Sequence, residues 1–137
     1  MKTLIESLVS GTEKYNIFVI VKPGFLKLTP VIINIFEEHG WTLEKIRTKT
    51  LLKSEAKRLY DIHKKEDFYD DLCNYMSSDQ STGMVFVKDK PMSKKMFDET
   101  NKIKDIIRKK YGESEMRNVI HSSDSLERMK IERGIYF

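Results

Sequence analysis

Residues 118–137 read NVIHSSDSLERMKIERGIYF. Asn118, Val119, Ile120 and His121 make a short, buried, β-prone run that ends in an imidazole. Ser122, Ser123, Asp124 and Ser125 follow as a polar turn. Asp124-Ser125-Leu126-Glu127 has the spacing of a capping box, so a helix is expected to begin there. A histidine at the exit of an apolar run, facing small polar residues, is accessible and rigidly held. That is how a nucleophilic or general-base histidine is presented. The plainer reading is a structural histidine in a capping turn, and the pattern alone leaves both open. Glu132, eleven residues on, can fold back to hydrogen-bond one ring nitrogen. Such a contact fixes the tautomer and raises the basicity of the other nitrogen.

Outward from this stretch, the chain divides into a lead, residues 1–15, and a single domain, residues 16–137. Leu4, Ile5 and Leu8 give the lead some helical character. Asn16–Lys22 (NIFVIVK) is a continuous β-branched and aromatic run, the pattern of a central strand buried on both faces. Lys22-Pro23-Gly24 ends it. A lysine at the mouth of a buried strand either snorkels to water or meets an anion. Thr29 is a suitable N-cap with Pro30 at the first helical position. Val31, Ile32, Ile35 and Phe36 form the apolar stripe of that helix, Gly40 stops it, and His39 partners its C-terminal dipole. Trp41–Leu51 alternates, with a bulge expected at Glu44-Lys45 in a half-exposed strand.

Ser54–His63 predicts a helix carrying Ala56, Leu59, Tyr60 and His63 on one side. Asp67 is the expected cap of a second helix bearing Phe68, Leu72, Cys73, Tyr75 and Met76. Ser81–Lys88 (STGMVFVK) is another buried strand. Pro91 is expected to open a helix with Met92, Met96 and Phe97, running into Glu99-Thr100-Asn101. A loop is expected after Asn101, and beyond it Ile103, Ile106, Ile107 and Tyr111 form a helical stripe. Four strands in βαββαβ order, with helices packed on one face of an antiparallel sheet, define a ferredoxin-like α+β sandwich.

At 137 residues the chain is long enough for a real core. No apolar run approaches a membrane span, and the N-terminus lacks the pattern of a secretory signal. The single cysteine, Cys73, fits a reducing, cytoplasmic compartment and a buried, inert thiol. A net charge of +4 suits phosphorylated small molecules, an anionic surface or nucleic acid. Lysines crowd around Lys88–Lys95 and Lys102–Lys110. No glycine-rich P-loop is present, and the three histidines and one cysteine lack zinc spacing.

NVIHSSDS resembles the signature N-[IV]-[IV]-H-G-S-D-S of nucleoside diphosphate kinases, with seven of eight positions matching and Ser122 in place of the glycine. The resemblance extends over Asn16–Phe137. It implies that His121 is phosphorylated by one nucleotide and passes the group to another, with Glu132 and Tyr60 as its catalytic neighbours. Lys22, in a Lys-Pro pair where the family has Lys-Pro-Asp, is implied to reach the nucleotide. Phe68 corresponds to the aromatic that stacks on the base, and Leu72 lies beside it. Glu99-Thr100-Asn101 matches a family string whose threonine contacts phosphate. Lys94 aligns with a phosphate-binding arginine, making it a weakened clamp, with Lys90 and Lys104 the next candidates. Arg108 aligns with a second such arginine, and Asn118 reaches the sugar.

The loop after Asn101 is about three residues shorter than the family's and lacks its prolines. Glu115 stands where a small apolar residue usually lies near the base. The resemblance also implies nucleoside tri- and diphosphates (ATP, GTP and others) as substrates. Mg²⁺ would be held mainly by nucleotide phosphates and water, with no dedicated protein ligands. A homo-oligomer built from dimers, hexamer or tetramer, is implied as well. The alternatives are a degenerate nucleotide-binding member with weak transfer activity, and a basic nucleic-acid-binding module.

Overall fold

A computed structural model describes residues 14–137, so the helical character expected of the lead lies outside the described residues. The chain runs β1 (Lys14–Val21), α1 (Thr29–Glu38), β2 (Thr42–Lys49), α2 (Lys53–Leu59), α3 (Tyr69–Met76), β3 (Ser81–Pro91), α4 (Lys95–Tyr111), β4 (Ile120–Ser122) and α5 (Leu126–Tyr136). Short 3-10 turns occupy Leu26–Leu28 and Asp61–His63. The four strands form one sheet in the order β2-β3-β1-β4, and every neighbouring pair is antiparallel. This is the ferredoxin-like arrangement.

The run NIFVIVK explains why β1 is central. Side chains alternate across a strand. Ile17, Val19 and Val21 therefore join Met84 and Phe86 on one face, beneath α1 and α4. Phe18 and Ile20 join Val85 on the other face, beneath α2, α3 and α5. Helices thus cover both faces of the sheet, not one. The βαββαβ order accounts only for α1 and α4. The helical hairpin and the C-terminal helix make the second layer. On the first face Phe36 stacks on Phe86, with ring centroids 4.5 Å apart. Burying such a ring contributes roughly 1.5–3 kcal/mol. On the second face Gly83 leaves room for Tyr136, whose ring carbon would lie 2.7 Å from any Cβ added there.

The bulge in β2 falls between Leu43 and Lys45, as expected. Gly40 takes φ +89° at the end of α1. His39 Nδ1 lies 2.8 Å from the Ile35 carbonyl, bound to the C-terminal end of its own helix. Cys73 is free and buried.

Several boundaries differ from expectation. β1 starts at Lys14, two residues before the expected strand, and Tyr15 is buried and stacked on Trp41. Thr29 is not a cap: a 3-10 turn runs directly into α1, and the Thr29 hydroxyl is buried without a partner. Asp67 does not cap α3, whose N-cap is Phe68 with no side-chain bond. Ser125, one residue later than expected, caps α5 by accepting from the Arg128 N–H at 3.2 Å. Pro91 ends β3 instead of opening a helix, because the β1–β3 ladder extends to Lys14 opposite Pro91. Proline is tolerated at such a strand end, where no ladder N–H is required. Finally, α4 is one helix of 17 residues with no loop after Asn101.

Candidate active site

β4 is short and pairs only with β1, placing His121 opposite Ile20. Just before it, Val119 has φ 78°, a left-handed conformation that is strained for a β-branched residue. Strain of this kind costs about 1–3 kcal/mol and persists only where the surroundings enforce it. Here the Lys22 N–H donates to the Val119 carbonyl at 2.8 Å, and Ile120 N–H to the Asn118 carbonyl at 3.0 Å. The strained corner therefore ties the end of β1 to the start of β4. It fixes Lys22 and His121 relative to each other.

His121 Nε2 lies 2.5 Å from Glu132 Oε1. A carboxylate accepts, so Nε2 carries the proton and the lone pair is on Nδ1. Glu132 is buried and fully engaged. Its Oε1 also accepts from Ser123 Oγ at 2.9 Å, and its Oε2 from Arg128 Nε at 3.1 Å. Arg128 in turn donates to the carbonyls of Arg58 and Leu59, joining α5 to α2. Burial pushes the Glu132 carboxyl up, but its bonds to His121 and Ser123 and the Arg128 charge outweigh this and hold it below the ordinary range. Burial lowers the His121 pKa, Glu132 opposing it only in part. The ring is thus neutral and nucleophilic near pH 7.

The His121 ring faces a cavity of about 430 Å³, within the range of small-molecule sites. Tyr60, Lys22 and Arg108 line it together with the histidine, and Phe68, Leu72 and Met116 supply apolar lining. Tyr60 meets His121 edge-on, with ring centroids 5.5 Å apart. His63 continues the aromatic row to Phe68 at 5.5 Å. Phe68 is 42% exposed and so is not a core residue, whereas Leu72 is buried. Lys22 is buried with its Nζ 3.3 Å from the Met116 carbonyl. Burial first, then the charges of Arg108 and Lys104, push its pKa down to about 7. Arg108 donates to the Ile120 carbonyl at 2.7 Å, while its Nε is buried without a partner. A cavity lined by an exposed aromatic and by under-satisfied cations suits a ligand with a flat ring and anionic oxygens.

The sequence model of the nucleoside diphosphate kinase family matches residues 16–137. The chain belongs to the nucleoside diphosphate kinase family. The nucleoside diphosphate kinase of Sulfolobus acidocaldarius is 35% identical to it, the match covering 88% of each chain. That of Persephonella marina is 33% identical over 86% of this chain and 89% of its own. Among solved structures, the nucleoside diphosphate kinase of Encephalitozoon cuniculi has a TM-score of 0.79 at 23% identity, covering 91% of this chain and 89% of its own. The Aquifex aeolicus enzyme has a TM-score of 0.76 at 21% identity, covering 91% of this chain and 96% of its own. At these identities the two structures speak for the fold.

Of the residues that the family resemblance singled out, His121, Tyr60, Lys22, Phe68, Leu72 and Arg108 line one cavity, and Glu132 stands directly behind His121. Two do not join them. Thr100 is buried on the sheet side of α4, where its hydroxyl donates to the Met96 carbonyl at 2.7 Å. Lys94 precedes α4 and lines a separate cavity with Met92, Phe97 and Leu126. Thr100 lies within the continuous α4, and Lys94 is the residue before its start. Asn118 stands at the margin: its amide donates to the Glu115 carbonyl at 2.7 Å, and its Oδ1 is buried without a partner. Sequence reasoning passed over Arg128 and Met116. Arg128 had a signal, because it precedes Glu132 by four residues on a helix. Met116 acts through its backbone carbonyl and had none.

Among the described residues no helix is long and apolar enough to cross a membrane.

Proposed function

We propose that the chain is a nucleoside diphosphate kinase that moves the γ-phosphoryl group of a triphosphate to a diphosphate through phospho-His121. The observation that carries this reading is His121 held on Glu132 by Nε2 at 2.5 Å, with its ring lining a cavity that also holds two cations and an exposed aromatic. Phe68 is the base platform. Stacking tolerates any base, since each has a π-face, so ATP, GTP and other nucleotides serve. Arg108 and Lys22 take phosphate oxygens, and Lys22 and Asn118 the sugar hydroxyls.

In the first half-reaction the Nδ1 lone pair attacks the γ-phosphorus. The N–P bond forms as the bond to the bridging oxygen breaks, and that electron pair leaves on the diphosphate. The Nε2 proton stays in place, shared with Glu132, whose charge stabilises the phosphorylated ring. In the second half-reaction a terminal oxygen of the acceptor diphosphate attacks the phosphorus, and Nδ1 regains its pair. The protein contributes orientation and charge neutralisation. Mg²⁺ would enter with the nucleotide, as part of the substrate. Nucleotide and water oxygens suit Mg²⁺ as ligands.

A coupled assay for conversion of a diphosphate to a triphosphate tests the proposal. Wild type should turn over, and His121→Ala should not, while retaining nucleotide affinity. Turnover persisting in that variant removes the reading. A weak transferase is the second reading, favoured by the positions of Lys94 and Thr100; the kcat from the same assay decides between them. Assembly as a dimer-based hexamer or tetramer is part of the proposal and is measured by sedimentation.

A further inference from the structure

We propose that Lys104 is the cation that grips the phosphoryl group during transfer, in the role expected of Lys94. This rests on the proposed function and names one more residue of that site.

The continuous α4 sets the geometry. Its Ile103 and Ile107 are buried against the sheet. Lys104 and Arg108 each follow one of these residues, four apart, so they share one helix face, one turn apart. Arg108 opens onto the larger cavity. Lys104 opens onto a smaller one, of about 170 Å³, with Ser122, Asp124 and Glu132. Tyr60, His63 and His121 line both cavities. His121 therefore lines one cavity with Lys22 and Arg108 and a second with Lys104.

Two neighbouring lysines, Lys88 and Lys90, are committed elsewhere. Lys88 pairs with Glu99 at 2.7 Å and sits over the Trp41 ring. Lys90 lies 3.9 Å from Glu99 and over the Tyr15 ring. Lys104 makes no ion pair or hydrogen bond among the described residues, although it is half-buried. Its surroundings do include the carboxylates of Asp105, Asp124 and Glu132. Glu132 already accepts bonds from His121, Ser123 and Arg128. Burial, and then the Arg108 charge, lower the Lys104 pKa. An ammonium left unpaired beside a second cation is costly to bury and is relieved by an anion. A phosphoryl group in transit between the bridging oxygen and Nδ1 spreads negative charge over its three equatorial oxygens. A Lys104 hydrogen bond to one of these oxygens strengthens as that charge develops. No bond to Lys104 forms or breaks.

The test compares wild type, Lys104→Gln, Lys104→Arg and, as a control on the exposed face of the same helix, Lys102→Gln. Two quantities are read: the single-turnover rate of His121 phosphorylation by ATP, and the affinity for a non-transferable triphosphate relative to the diphosphate. Lys104→Gln should slow phosphorylation roughly 10- to 100-fold, as loss of a charge-assisted contact to a developing anion does. It should also reduce the triphosphate preference by about fivefold or more, with diphosphate affinity unchanged. Lys104→Arg should restore most of both, and Lys102→Gln should alter neither. Melting curves report the fold, and Lys104→Met, which keeps the stem, replaces the glutamine variant if that one does not fold. A triphosphate preference and a rate equal to wild type in the charge-removing variant overturn the Lys104 contact. If wild type forms no phosphoenzyme but the triphosphate preference still depends on Lys104, the kinase reading fails and the anion contact stands.

Discussion

The two helices that flank His121 treat polar groups in opposite ways. α5 brings Glu132, whose carboxylate is buried and accepts from His121, Ser123 and Arg128. α4 brings Arg108, whose Nε is buried without a partner, and Lys104, which has no direct bond among the described residues. Buried polar groups are normally satisfied. The satisfied side therefore reads as a finished device for orienting the imidazole. The unsatisfied side reads as a set of groups whose partner is the substrate. Removing a group from the first should slow the chemistry without changing what binds, and removing one from the second should change what binds, with or without a change in rate.

The largest effect expected is at Glu132. Glu132→Gln keeps the shape but loses the charge that holds the Nε2 proton and stabilises the phosphorylated ring. It should slow phosphorylation about 10-fold or more, with nucleotide Kd within a factor of two. A large loss of affinity with a normal rate would assign Glu132 to binding and dissolve the contrast between the helices.

Next is Phe68 in the cavity lining. Phe68→Ala should weaken nucleotide binding by roughly 1–3 kcal/mol, the usual range for base stacking, and purines more than pyrimidines. Because Phe68 is 42% exposed, melting temperature should barely move. A sharp fall in melting temperature with unchanged affinity returns Phe68 to the core.

The charge side makes a pH-dependent prediction. The Lys22 pKa is about 7 in the fold against an ordinary value of 10.5. Between these values the unfolded chain holds more protons, so Lys22 stabilises the free protein as pH rises, and this is lost as pH falls through about 7. A bound polyphosphate favours the charged form. Triphosphate binding at pH ~8 should thus take up a fraction of a proton approaching ~1, falling toward zero near pH ~6, where Lys22 is already charged. Calorimetry in buffers of different ionisation enthalpy measures it, and Lys22→Met should abolish it. Uptake that survives in Lys22→Met places the titrating group elsewhere.

The smallest effect is expected at Lys94. The alignment makes Lys94→Arg a repair of the phosphate clamp. Its position beside Met92 and Phe97, at a separate cavity, predicts less than about a twofold change in transfer rate. A clear gain would mean that α4 unwinds toward the site when nucleotide binds.

This last contrast shows where sequence sufficed. The His121–Glu132 pair was legible because both residues sit on short, strongly patterned elements whose ends are set by local chemistry. The run NIFVIVK likewise gave a doubly buried strand. That reading already required cover on both faces, although the βαββαβ order suggested only one. The segment from Pro91 to Tyr111 misled. Pro91 has the chemistry of a helix start, but the long-range ladder to Lys14 holds it in β3. Glu99-Thr100-Asn101 carried the family's expected loop with it, yet residues 95–111 propagate as one helix. No local signal in the string separates these outcomes. What decides is the fit of Met96, Phe97, Ile103 and Ile107 onto the sheet, which only the tertiary structure reveals.

The central claim is that His121 becomes phosphorylated on the nitrogen that Glu132 leaves free. Incubation with ATP and Mg²⁺ without acceptor, followed by phosphorus NMR of the denatured protein, tests it most directly. The account predicts one alkali-stable, acid-labile phosphohistidine, substituted at Nδ1, absent in His121→Ala and discharged by added diphosphate. Label at Nε2, or label that persists in His121→Ala, would contradict it.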